Sequence, residues 1–110
     1  MNLSIRYGLP FVTAVVEHDG RTLELDNVLL DTGSAGTLFQ VDQLATIGLR
    51  MEPEDLIRRI RGVGGAEFVF SKRVDALKIG GLRVAGFEIE VGAMDYGFAL
   101  DGIIGLDFLR

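Results

Sequence analysis

The sequence contains no cysteine and only one histidine, His18. Without cysteine the chain has no disulfide bond, no thiol nucleophile and no cysteine-based zinc site. A single histidine also excludes histidine clusters that bind metals, and it disfavours a Ser-His catalytic pair. We therefore expect a protein that works without a metal and without a cofactor.

Positive charge and long apolar runs are scarce as well. The chain has 11 basic and 16 acidic residues, which gives a formal net charge of −5. Proteins that bind nucleic acids usually carry a basic face, so a nucleic-acid partner is not expected. No apolar run is long enough to span a bilayer, and Met1–Arg6 lacks the features of a signal peptide. We expect no membrane contact within this chain and a cytoplasmic location.

The 110 residues are 48% hydrophobic, which is enough for the core of one domain covering residues 1–110. Alternating apolar and polar residues, rich in β-branched types, predict strands around Phe11–Val16, Thr22–Leu25, Asn27–Leu30, Glu67–Phe70, Val74–Ile79, Leu82–Val84 and Phe87–Val91. His18-Asp19-Gly20 and Gly80-Gly81 predict hairpin turns. Apolar residues at helical spacing predict one short helix over Val41–Ile47, and a second begins at Leu106 and runs to Arg110. The pattern favours a mainly β protein, a small closed or partly open barrel with two short helices.

Asp31 is the residue that most needs a chemical explanation. It follows the apolar pair Leu29-Leu30 and precedes Thr32-Gly33-Ser34. An unpaired acid beside a core costs several kcal/mol unless its charge is satisfied or shared. Thr32 and Gly33 favour a sharp turn that would present the acid from the end of a strand. The alternative is an ordinary Asx turn that closes a hairpin, and the three residues Asp-Thr-Gly do not decide between the two.

Two later segments extend the pattern. A glycine-rich hairpin tip contains Gly62, Val63, Gly64 and Gly65, and an apolar run framed by glycines follows near the end, Gly102-Ile103-Ile104-Gly105-Leu106-Asp107. With the Asp-Thr-Gly-Ser turn in front, this order and spacing resembles the retropepsin-like aspartic proteases over Leu9–Leu109. The resemblance implies the acid-protease barrel, with Asp31 as the catalytic acid and Thr32, Gly33 and Ser34 supporting its turn. It also implies that Gly62, Val63, Gly64 and Gly65 form a flap over the substrate, and that Ile103, Ile104 and Gly105 pass beneath the turn.

Metal-free peptide hydrolysis needs one group that takes a proton from water and another that gives a proton to the substrate. Two carboxylates that share one proton can do both. The chain has one Asp-Thr-Gly, so the second carboxylate would come from Asp31 of another copy in a homodimer. We expect an aspartic endopeptidase that cleaves an extended peptide or protein substrate and whose activity depends on dimerisation.

Retroviral members of the family continue into a final interface strand, whereas this chain stops at Arg110. Three explanations are open: the chain is truncated, it dimerises through Met1–Arg6 and the flaps, or it is a weak dimer or monomer. Two other functions remain as alternatives. One is a catalytically silent module that binds peptides or dimerises, and the other is an unrelated small barrel in which Asp-Thr-Gly is only a turn.

Several polar residues near these motifs have two interpretations. The Ser34 hydroxyl either donates to the ionised acid pair, which predicts a lower pH optimum, or satisfies the backbone of the turn. The basic run from Arg58 to Arg61 is either a solvated face or a selector of acidic peptide side chains. Asp101 is expected to be exposed, Asp107 to cap or pair structurally, and Glu88 and Glu90 to lie on the wet face of a strand.

Overall fold

The computed structural model describes residues 3–62, 65–93 and 100–109, with only the backbone described for residues 60–62 and 65–67. This part of the chain forms strands and two short helices in the following order: β1 Leu3–Arg6, β2 Leu9–His18, β3 Arg21–Leu30, β4 Leu38–Gln40, α1 Val41–Ala45, β5 Ile57–Gly62, β6 Gly65–Ile79, β7 Leu82–Gly92, β8 Gly102–Ile104 and α2 Leu106–Leu109.

Six of the strands close into a barrel. Their order is β2-β3-β8-β4-β7-β6, and β6 pairs back with β2 to complete the ring. The β1 strand adds to β2 outside the ring, and β5 adds to β6. The pairs β3–β8 and β4–β7 are parallel, and the other pairs are antiparallel. The prediction of a mainly β barrel with two short helices is confirmed.

Local turn chemistry explains the two hairpins that the sequence predicted. Asp19 and Gly20 have φ angles of 50° and 76° at the β2–β3 turn, and Gly80 has a φ of 60° at the β6–β7 turn. Positive φ at these positions matches the right-handed twist of the flanking strands. Asn, Asp and Gly tolerate this region best, so the residue types select the turns.

The core is apolar and lies inside the barrel. Phe39, Leu44, Ile89 and Ile104 are completely buried there. Leu44 belongs to α1, which is shorter than predicted: regular helix ends at Ala45, and single turns continue to Gly48, whose φ is 82°. A smaller apolar cluster lies on the opposite face of β3 and β8 from the main core. It consists of Phe11, Leu38, Val69, Leu100 and Ile103.

The strands differ from the prediction in number and extent: Thr22–Leu25 and Asn27–Leu30 belong to one strand, β3, and Leu82–Val84 and Phe87–Val91 belong to one strand, β7. The segments Glu67–Phe70 and Val74–Ile79 are parts of one long strand, β6. The basic run starting at Arg58 lies in β5, which pairs with β6 from Ile57↔Phe70 to Gly62↔Gly65. A further strand, β1, precedes the first predicted one. Among the described residues, no helix is long and apolar enough to cross a bilayer.

Candidate active site

Asp31 lies directly after β3, and its position follows from the pairing of that strand. Leu29 and Leu30 align with Ile103 and Ile104 in the parallel β3–β8 pair. The ladder continues one step further, because the Asp31 N–H donates to the Ile104 carbonyl oxygen at 3.0 Å. Ile104 is fully buried and Ile103 nearly so. Apolar packing on β8 therefore fixes the strand end from which Asp31 emerges.

The turn after Asp31 is held by short-range hydrogen bonds. The Gly33 N–H donates to Asp31 Oδ1 at 2.9 Å, and the Ser34 N–H donates to the Asp31 carbonyl oxygen at 3.1 Å. A Cβ on residue 33 would lie 3.1 Å from Asp31 Oδ1, so glycine lets the backbone approach the carboxylate. Asp31 is half-buried, whereas Thr32 and Gly33 are exposed. The turn thus presents the acid at the surface of this single chain.

The Ser34 hydroxyl acts on the backbone of its own loop. Its Oγ donates to the Gly36 carbonyl oxygen at 2.7 Å. A hydroxyl has one hydrogen to donate, so in this chain it is not directed at Asp31. The geometry agrees with the second of the two interpretations of Ser34, a hydroxyl that satisfies the turn.

The segment after β8 passes beneath the loop. A Cβ on Gly105 would lie 2.3 Å from the Gly36 carbonyl oxygen and 2.7 Å from that of Ser34, so only glycine fits at the crossing. The Leu106 N–H donates to the Ser34 carbonyl oxygen at 2.8 Å, and the Asp107 N–H donates to that of Ala35 at 3.2 Å. Ile103, Ile104 and Gly105 are thus brought against the loop that contains Asp31.

Thr37 joins the loop to α2, and the sequence analysis missed it. Thr37 is 1% exposed. Its Oγ1 donates to Asp107 Oδ1 at 2.7 Å and accepts from the Gly105 N–H at 3.2 Å. The Thr37 N–H donates to Asp107 Oδ2 at 3.2 Å, and the Phe108 N–H donates to Oδ1 at 2.9 Å. The carboxylate of Asp107 thus pairs structurally. The available signal was a lone polar residue opening the apolar Leu38-Phe39 run.

Asp101 is a correction, because it is half-buried rather than exposed. Its Oδ2 accepts from the Asn27 N–H at 3.2 Å, and its Oδ1 accepts from Gln43 Nε2 at 3.3 Å. Its backbone is bonded in both directions, to Asn27 and to Gln40. Asp101 therefore connects the start of β8 to both β3 and α1 through hydrogen bonds.

Two of the residues predicted to form the flap, Gly62 and Gly65, lie at the end of β5 and the start of β6. They pair with each other across the β5–β6 hairpin. The other two predicted flap residues, Val63 and Gly64, lie outside the described residues.

Ion pairs between side chains connect the segment before this hairpin to β6. Lys72 Nζ contacts Glu52, and it lies 3.0 Å from Asp55 Oδ2. Burial alone would lower the pKa of Lys72, but the hydrogen bonds with Glu52 and Asp55 raise it. The same oxygen of Asp55 accepts from the Glu52 N–H at 2.7 Å. That backbone bond first, and then Lys72, hold the pKa of Asp55 below its usual value.

A cavity of about 500 Å³ lies between β5 and the loop that follows Asp31. We call it the loop-side pocket. Asp31 does not line it, but Gly36 of the same loop does. The pocket is also lined by Ile57 and Arg58 from β5, Glu88 and Glu90 from β7, and Asp107 from α2. Its volume lies within the range of sites for small ligands.

Among the residues that the structure describes, one group of side chains could ligate a cation, and it lies at the opposite end of β3. Ligand atoms of His18, Asp19 and Asp75 are within 4.8 Å of one another. Asp75 Oδ2 already accepts from the Asp19 N–H at 2.9 Å. His18 Nδ1 is buried without a hydrogen-bond partner among the described residues, so metal binding at Nε2 would leave the Nδ1 proton unpaired. The ten-residue strand separates this group from Asp31 by about 30 Å.

The sequence and the fold were compared with known protein families, curated proteins and solved structures. The family described as "Aspartyl protease" matches residues 13–108. No curated protein matches the chain. Among solved structures, the crystal structure of a retropepsin-like aspartic protease from Rickettsia conorii is similar with a TM-score of 0.71 and 15% identity. That match covers 97% of this chain and 82% of the other. At this identity the likeness concerns the fold.

Proposed function

This chain belongs to the aspartyl protease family and has a retropepsin-like fold, and from that premise we propose that it is a homodimeric aspartic endopeptidase. The catalytic site would form where Asp31 of one copy meets Asp31 of the other. Thr32, Gly33 and Ser34 would hold each turn, and Ile103, Ile104 and Gly105 would support it from below. Gly62, Val63, Gly64 and Gly65 would close over an extended peptide or protein substrate.

The chemistry follows from two carboxylates at close range. Two like charges about 3 Å apart cannot both stay ionised, so the two carboxylates share one proton. The ionised carboxylate takes a proton from water while the water oxygen bonds to the scissile carbonyl carbon. The protonated carboxylate gives its proton to the carbonyl oxygen. When the C–N bond breaks, one carboxyl gives its proton to the leaving nitrogen while the other carboxylate takes a proton back from a hydroxyl of the tetrahedral intermediate, so the pair again holds one proton.

The observation that carries this proposal is the state of Asp31 in the single chain. Its carboxylate accepts one hydrogen bond, from the Gly33 N–H, and it forms no ion pair with any residue that the structure describes. Asp107, by contrast, accepts from the Thr37 hydroxyl and from the N–H groups of Thr37 and Phe108, so its carboxylate has a structural role. Asp31 instead keeps acceptor capacity on an exposed turn, which suits a group completed by a symmetry mate.

The β1 strand offers one surface for dimerisation. It pairs only with β2 in the strand order, and its side chains Leu3 and Ile5 are 53% and 65% exposed. An exposed apolar edge strand tends to pair with another chain. Ile5→Lys should therefore weaken the dimer, as measured by sedimentation over a concentration series, whereas Leu82→Lys at the β6–β7 turn should not. Leu82 is 51% exposed, so it is a matched control.

Mixing of two variants tests the proposal directly. Asp31→Asn should abolish cleavage of an unfolded protein substrate, whereas Asp42→Asn, an exposed acid on α1, should not. If catalysis needs two Asp31 carboxylates, adding an equal amount of Asp31→Asn should cut the activity of a fixed amount of wild type to roughly half through mixed dimers. Unchanged activity would contradict the dimeric site. A wild-type dimer that cleaves no peptide at any pH would instead favour the catalytically silent alternative.

A further inference from the structure

The loop-side pocket combines an apolar wall with carboxylates. Leu56 and Ile57 line one side, and both side chains are well exposed, at 73% and 56%. Glu88, Glu90 and Asp107 lie on the other sides. Long basic side chains bury their methylene stems on apolar surface and place the charged end among acceptors. The pocket therefore has the two kinds of surface that a lysine or arginine side chain requires.

Glu90 brings a carboxylate oxygen next to the loop that contains Asp31. Both hydrogen bonds from Arg58 reach the same atom, Glu90 Oε2, with the Nε bond at 3.0 Å. The other oxygen, Oε1, would lie 2.9 Å from a Cβ on residue 36, so it faces Gly36. Oε1 accepts no hydrogen bond from the described side chains or backbone. It remains able to accept from a ligand that enters between the loop and β5.

The charge in the pocket is not balanced. Arg58 is paired with Glu90, and this hydrogen bond raises the pKa of Arg58, so the guanidinium stays charged and occupied. Within residues 3–62, 65–93 and 100–109, neither Glu88 nor Asp107 forms an ion pair. Three carboxylates against one guanidinium leave an excess of two negative charges beside the proposed catalytic loop. An acidic peptide side chain would meet repulsion there, which argues against the selection of acidic residues by Arg58.

We propose that the loop-side pocket selects a basic side chain, lysine or arginine, of the substrate at a position near the scissile bond. The apolar stem lies on Leu56 and Ile57, and the charged end lies between Glu88 and Glu90 Oε1. This inference rests on the proposed function, because it names the substrate class of the same site. The pocket contains Gly36, five residues after Asp31, and Ile57 and Arg58 of the flap strand. A peptide between the flap and the catalytic turn would therefore pass its entrance.

Matched peptides test the preference. In each peptide one position near the scissile bond is lysine, norleucine or glutamate, and the position is scanned along both sides of the bond. At the selected position, kcat/KM should be highest for lysine and lowest for glutamate, with about a tenfold ratio at low salt. Norleucine retains the stem without the charge and should fall between. The ratio should shrink in 1 M NaCl, because salt screens charges near the surface. Equal kcat/KM values at every position would overturn the proposal.

Variants of the pocket should move this ratio in opposite directions. The pair of changes Glu88→Gln and Glu90→Gln removes two negative charges, so the lysine-to-glutamate ratio should fall to one or below. Arg58→Gln removes the neutralising cation, so the ratio should rise. Glu24→Gln makes the same charge change at an exposed site on β3 and should leave the ratio unchanged. A general loss of structure cannot raise the ratio, so a rise in the Arg58→Gln variant would support the inference. An unchanged or lower ratio in an Arg58→Gln variant that keeps the wild-type Tm would overturn it.

A binding measurement separates this inference from the proposed function. Fluorescence polarisation with the Asp31→Asn variant compares the affinities for the lysine and glutamate peptides without turnover. Tighter binding of the lysine peptide that is lost on Glu88→Gln with Glu90→Gln would support the pocket even if the wild type cleaved nothing. Cleavage that depends on Asp31 with equal affinity for both peptides would retain the protease and overturn the pocket.

Discussion

The Thr37 hydroxyl should contribute more to stability than any other single polar atom described beneath the loop that contains Asp31. Thr37→Val exchanges it for a methyl group of similar size. The change removes the hydrogen bond to Asp107 Oδ1, at 2.7 Å, and leaves the buried Gly105 N–H without its acceptor at 3.2 Å. Because valine fills the same space, the loss comes from hydrogen bonding rather than from a cavity.

The magnitude can be worked from these two contacts. A hydrogen bond to a charged group contributes about 1.5–3 kcal/mol, and an unsatisfied buried donor costs about 1–3 kcal/mol. Asp107 still accepts from the N–H groups of Thr37 and Phe108, so the loss of the hydroxyl bond lies at the low end of its range and the two contributions are not simply added. We expect a loss of about 3 kcal/mol in the free energy of unfolding. For a chain of this length, that corresponds to a drop of about 12 °C in Tm.

Urea denaturation and calorimetry at one fixed protein concentration would measure this loss, since dimerisation makes stability depend on concentration. Thr46→Val is the matched control, because the exposed Thr46 hydroxyl donates only to the Gln43 carbonyl oxygen, which water can satisfy. It should cost less than about 1 kcal/mol. Thr37→Ser keeps both bonds and should recover most of the stability. If Thr37→Val were no more destabilising than the control, the reasoning about the loop would be refuted.

Three further changes test other parts of the structure. Gly105→Ala should cost about 3 kcal/mol or more, measured as Tm and soluble yield, because its Cβ would overlap a carbonyl oxygen at 2.3 Å, whereas Gly81→Ala meets nothing within 4 Å. Ser34→Ala should cost about 1 kcal/mol and leave the pH optimum of cleavage unmoved, since the hydroxyl donates to the backbone. A shifted optimum would contradict this. Asp55→Asn should flatten the acid limb of the stability curve. Hydrogen bonds from the backbone and from Lys72 lower the pKa of Asp55, so its stabilisation is present above the unfolded value of 3.8 and is lost as pH falls through the lower folded-state pKa. An unchanged acid limb would refute that role.

Local chemistry made the hairpins and the barrel class predictable from sequence. His18-Asp19-Gly20 and Gly80-Gly81 select their turns through backbone preferences that need no distant partner. The β1 strand and the long β6 strand were harder. The β1 strand alternates apolar and polar residues over only four positions, Leu3 to Arg6, which is too short a pattern to indicate a strand by itself. In β6, the polar residues Ser71, Lys72 and Arg73 divide one strand into two apolar pieces. Both features depend on pairing with distant segments, which periodicity does not reveal.

The same distinction applies to the site. Asp31 and Gly33 interact within two residues, so their turn could be inferred from adjacent letters. Thr37 depends on Asp107, which is 70 residues away, and Glu90 depends on Arg58, which is 32 residues away. Neither pair has a spacing that predicts contact. The resemblance to a known family supplied the long-range order of the motifs, but it did not supply the charges of the loop-side pocket.

The topology explains why the loop tolerates so little change. The β3 and β4 strands flank the loop that contains Asp31, yet they do not pair with each other, because β8 lies between them. The loop therefore crosses over the end of β8, where the chain continues as Gly105. At this crossing the backbone of residues 34–36 rests on Gly105, and Leu106 and Asp107 donate to its carbonyl oxygens. A shift of β8 by one residue would place the Ile104 side chain or that of Leu106 under the loop, where no Cβ fits. The register of a three-residue strand thus determines the position of the acid, and a glycine at its end is the condition for that register.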